Sequence, residues 1–130
     1  MTGGRDALRS TMGFSAAEGY ATLELWPEVF EELEDLPEIL RFAPAVLRLE
    51  LRACVALQAW PRGEEIAAHL GTMGILDRMM AAGFHATVAR EFFRDGRHAE
   101  AKAALRQAVE TWPSCKDVVM KDPSLVAAIL

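Results

Sequence analysis

No run of about 18 uncharged apolar residues occurs in this chain of 130, so a membrane-spanning helix is not expected. The opening MTGGRDALRS has no apolar stretch behind its charges, which argues against a signal peptide. Cysteine is scarce: Cys54 and Cys115 stand 61 residues apart, which fits neither a disulfide framework nor a short metal spacing. Both are expected to be reduced and structural, and the chain cytoplasmic. Basic residues are outnumbered 14 to 19, and a net charge of −5 disfavours general affinity for nucleic acid or an anionic membrane. Also missing are a Gly-rich phosphate loop, His-Glu-x-x-His and Gly-x-Ser-x-Gly. No catalytic residue, cofactor or metal ligand is expected, and the chain reads as non-enzymatic.

What is present is helical. Hydrophobic residues make up 52% and charged residues 25%, which is ordinary for a folded domain. Leu47, Leu51 and Cys54 recur at steps of four and three, as do Ala101, Ala104, Leu105 and Ala108, while β-branched residues are sparse. The predicted class is all-α. Breaks are expected at Leu36-Pro37, Ala43-Pro44, Trp60-Pro61, Gly71, Gly74, Gly83, Asp95-Gly96, Trp112-Pro113 and Asp122-Pro123.

LELWPEVFEELEDL, residues 23–36, has an echo in LQAWPRGEEIAAHL, residues 57–70: Leu23 with Leu57, Trp26 with Trp60, Pro27 with Pro61, Glu31 with Glu65, Leu36 with Leu70, each 34 residues apart. Proline is tolerated in the first turn of a helix, where its missing N–H would lack a partner anyway, so Trp-Pro ends one helix and starts another. Helices are expected over 15–25, 27–36, 44–58 and 61–70. A 34-residue helix–turn–helix period resembles the tetratricopeptide repeat family. The third copy, residues 84–113, carries the pattern most fully, with Ala89 and Phe92, the turn glycine Gly96, then Ala101, Leu105, Ala108 and Pro113. The same sites hold Ala17, Tyr20, Val29, Leu33 and Leu36 in the first copy, and Leu51, Cys54, Gly63, Ala67 and Leu70 in the second. Glu24 and Gln58 stand where the third copy has its glycine, and the third copy starts about four residues late, the excess falling in GTMGILDRMMAAG.

The resemblance implies a right-handed solenoid of three antiparallel hairpins over residues 11–113, after a flexible N-terminus, 1–10, and before capping helices, 114–130. Ser114 with Asp117 is expected to cap the first of these, and Leu125, Val126, Ile129 and Leu130 to cover the last hairpin. It also implies a concave surface formed by the first helix of each hairpin. There Arg48 and Arg52, and Arg90 and Arg94, are four-residue pairs expected to face a groove with Phe14, Glu18, Val55 and Phe93. An adaptor that binds an acidic, partly hydrophobic peptide or protein segment follows. A secretion-type chaperone, or a helical regulatory or oligomerisation domain, would share these features, and oligomeric state is left open. His69, His85 and His98 are widely spaced and read as packing residues, His98 in the slot of Trp26 and Trp60; Cys54 reads as a buried small hydrophobe.

Overall fold

Proline stands in the first turn of three of the helices. In the computed structural model, residues 3–123, 125 and 126 are described, with side chains from Met12 onward. The helices are α1 (Gly3–Thr22), α2 (Trp26–Glu34), α3 (Pro44–Leu57), α4 (Trp60–Leu70), α5 (Ile75–Arg94), α6 (His98–Thr111) and α7 (Cys115–Met120), with a 3-10 turn at Glu38–Leu40. Pro27 lies in the first turn of α2, and Pro44 opens α3 behind Ala43, which is extended (φ −63°, ψ 137°), the conformation favoured before proline. Among the described residues all regular structure is helical, so the all-α expectation holds.

The three expected turns are one turn made three times. Glu24 (φ 59°), Gln58 (φ 55°) and Gly96 (φ 80°) are all left-handed. At each, the amide one residue on reaches back five residues, from Leu25 to the Tyr20 carbonyl (2.9 Å), Ala59 to Cys54 (2.8 Å) and Arg97 to Phe92 (2.8 Å). The left-handed residue itself donates three residues back, to Ala21, Val55 and Phe93. This is a Schellman ending, which satisfies two carbonyls that the helix would otherwise leave orphaned. Only the third copy has the glycine that makes it free of strain. Glu24→Gly and Gln58→Gly are therefore expected to stabilise the chain by about 0.5–1 kcal/mol each, read as a raised thermal midpoint, and Gly96→Ala to lower it. A lowered midpoint for both glycine variants would show that Glu24 and Gln58 side chains matter more than their backbone strain.

By contact the chain divides into two units, Met1–Ile66 and Ala67–Leu130. In the first, α2 packs on α1 and α3, and Ala17, Ala21, Val29, Leu33, Leu36, Val46, Leu49 and Ala53 form a buried cluster edged by Phe14, Tyr20, Trp26 and Phe30. In the second, α5 packs on α6, and α7 touches both. The repeat sites Ala17, Leu51 and Ala89, then Val29, Gly63 and Ala101, then Leu33, Ala67 and Leu105, are all buried, so one register runs through the three copies.

Boundaries differ from expectation at both ends of α1, at the end of α2 and within α5. Helix α1 starts at Gly3, taking in most of the stretch 1–10 expected to be flexible, and stops at Thr22, three residues early, because the Schellman turn needs Leu23 and Glu24. The excess before the third copy lengthens α5, whose residues 75–83 precede the repeat pattern, and Gly83 lies inside that helix instead of breaking it. A helix-interior glycine costs about 1 kcal/mol, less than burial of Ala81, Ala82, Phe84 and Val88 around it contributes. Ser114 is the N-cap of α7 but its side chain makes no capping bond. Asp122-Pro123 does begin a further helical turn, with Val126 N–H donating to the Asp122 carbonyl at 2.9 Å. Leu125 is buried and Val126 half-buried as expected, while Ile129 and Leu130 lie outside the described residues.

Candidate functional site

The eight residues expected to line a groove fall into two sets. Phe14 and Glu18 on α1, and Arg48, Arg52 and Val55 on α3, belong to the first unit; Arg90, Phe93 and Arg94 on α5 belong to the second. Phe14 is half-buried at the edge of the core and Glu18 is exposed. The guanidinium of Arg52 lies over the Trp26 ring at 5.5 Å. Arg90 Nε donates to Asp122 Oδ2 at 2.9 Å, tying α5 to the segment after α7, and Arg94 pairs with Glu91 at 3.4 Å. Phe93 meets His98 edge to face at 4.9 Å, the packing role expected for that histidine. Arg90 thus holds the C-terminal segment, and reversing its charge would set it against Asp122, so it is no neutral surface position.

Helix α4 carries an arginine that sequence reasoning passed over. Arg62 donates to Glu50 on α3 (2.8 Å) and Glu34 on α2 (3.2 Å), and stacks on Phe30 at 3.9 Å. Beside it Cys54 is buried, and burial pushes its thiol up to about 11 against the opposing charge of Arg62, so it stays protonated at neutral pH. Burial also raises the Cys115 thiol. Buried His85 is held below the usual histidine range by desolvation alone. Among the described residues no three His, Cys, Asp or Glu side chains gather to hold a metal, and no helix is long and apolar enough to cross a membrane.

Among the described residues, a concavity with binding character lies in the second unit. Between α6 and α7 runs a groove of about 360 Å³, lined on α6 by Lys102, Leu105, Arg106, Val109 and Glu110. Their spacing of three and four puts them on one helix face. Lys116, Val119 and Met120 of α7 form the other wall. Leu105 and Val119 are buried as a floor, while Met120 is 52% exposed. Lys102, Arg106 and Lys116 are exposed cations around it, against a single carboxylate, Glu110. The volume is at the small end of ligand sites and suits one or two apolar side chains rather than a cofactor.

No family model, curated protein or solved structure matches this chain.

The case for a site therefore rests on these residues alone. The α6 face was there to be read in KAALRQAVE, where cations and apolar residues share a helical stripe. Its opposite wall was not, because nothing in the local sequence says which neighbour α7 will lie against.

Proposed function

We propose that this chain is a tetratricopeptide-like module of three helical hairpins that works by binding a peptide or protein segment, without catalysis, in a reducing compartment where its two thiols stay free. The thrice-repeated Schellman turn carries the reading, because the same hydrogen bonds recur at Tyr20, Cys54 and Phe92 with small or apolar residues buried at equivalent sites around each. Such repeats offer surface rather than a closed pocket. The segment bound is acidic and partly hydrophobic, because the α6–α7 groove combines an apolar floor with three cations to one carboxylate in a chain of net charge −5.

Fluorescence anisotropy of a labelled amphipathic peptide carrying glutamates and leucines tests this. Binding is expected, weakening as salt rises, and about tenfold weaker in Arg106→Glu. A peptide that binds the variant equally well, or a lysine-rich counterpart that binds better, would overturn the groove as the site.

A further inference from the structure

Charge is divided unevenly along the chain. Residues 1–66 hold 6 basic and 12 acidic residues, a net of −6, whereas residues 67–130 hold 8 and 7, a net of +1. From Ser10 to Leu40 there are eight carboxylates and no lysine or arginine. Within that acidic stretch, between α2 and α3, the 3-10 turn lifts Ile39 into solvent at 87% exposure, beside Glu38 and near Asp35, with the exposed Phe42 three residues on. A β-branched aliphatic side chain so fully exposed on a short turn is an apolar knob, with Asp35 and Glu38 as its acidic neighbours in sequence.

The α6–α7 groove is its chemical complement: an apolar floor at Leu105 and Val119, and cations at Lys102, Arg106 and Lys116. Even the minor charges are opposite, with Arg41 beside the knob and Glu110 beside the groove. We infer that the groove takes the Asp35–Phe42 turn of a second copy of this chain, so that the protein self-associates head to tail. The inference rests on the groove being a segment-binding site and names the segment. Because knob and groove are different surfaces, the contact is heterologous: each copy keeps one free knob and one free groove, and assembly continues into chains or closes into a ring. Exposed carboxylates against exposed cations make it salt-sensitive.

Sedimentation velocity of the full chain from micromolar to millimolar concentration tests this. The mean mass is expected to rise with concentration and to fall back when salt is raised. Ile39→Lys and Arg106→Glu, both exposed positions, are each expected to weaken association about tenfold while circular dichroism stays that of the wild type. Mixing these two variants is decisive: one retains its groove and the other its knob, so at a concentration where neither variant associates alone the mixture is expected to give 1:1 dimers. A monomer at every concentration would overturn the inference, as would association unmoved by both variants. Association that appears only after residues 127–130 are removed would also overturn it, by making the chain's own terminus the occupant. If the acidic peptide binds the groove in anisotropy while the full chain stays monomeric, the self-association fails and the binding function stands; if neither occurs, both fail.

Discussion

Replacing Ala101 with tryptophan is expected to lower stability by about 1–3 kcal/mol or more, whereas Ala103→Glu, two residues away on the same helix, is expected to change it by no more than about 0.5 kcal/mol. Ala101 has no exposed surface and Ala103 is exposed. Ala101 is also where α6 makes its first helical bond, its amide donating to Arg97 at 2.9 Å, in the place that Val29 and Gly63 hold in the other copies. An indole there has nowhere to go without forcing the helix from its neighbours. For a chain of this length the loss corresponds to a fall of about 4–12 °C in the thermal midpoint. Equal effects at the two positions would mean that the register shared by the three copies is wrong.

Arg62→Ala is expected to cost about 2–3 kcal/mol, the larger part through Glu50. The Glu50 side chain is only 13% exposed, and losing its guanidinium partner would leave a half-buried carboxylate without its ion pair. The bond to Glu34 contributes little, because that carboxylate is 53% exposed and screened by water. Loss of the stack on Phe30 adds to the cost. Accordingly Glu34→Ala is expected to stay within about 0.5 kcal/mol, and Arg62→Met combined with Glu50→Leu to recover most of the loss, since replacing both partners leaves no charge stranded. Urea denaturation of the three variants checks this; an Arg62→Ala midpoint equal to that of Glu34→Ala would show that Glu50 is adequately solvated without its partner.

Much of the fold was legible because it is written in local chemistry. Trp-Pro can only interrupt a helix, and the alanines and leucines at the repeat sites keep helical spacing, so helices α2, α3 and α4 end within about two residues of expectation. The left-handed backbone at Glu24 and Gln58 was legible only through Gly96, since neither residue advertises a turn and the alignment alone places them there. The start of α1 and the length of α5 were not legible. Gly74 does stand at the break before α5, but Gly83 reads as a breaker too, and a helix of 20 residues absorbs it. Nor was the work of the arginines. Arg62 reaches Glu34 across 28 residues and Arg90 reaches Asp122 across 32, and such pairings depend on how helices lie together, which spacing within a helix does not encode. The α6–α7 groove escaped for the same reason on one side only.

The Schellman turns also bear on how quickly the chain finds its fold. Each closes through bonds spanning three and five residues, so α1 with α2, and α5 with α6, become neighbours as soon as a turn of a few residues forms. Little chain entropy is lost before packing begins to compensate, and topologies of this local kind cross their folding barrier in microseconds to milliseconds. A hairpin of this chain can therefore assemble while the residues that follow it are still being synthesised, at about 5–20 per second, and its apolar face is sheltered within moments of being made.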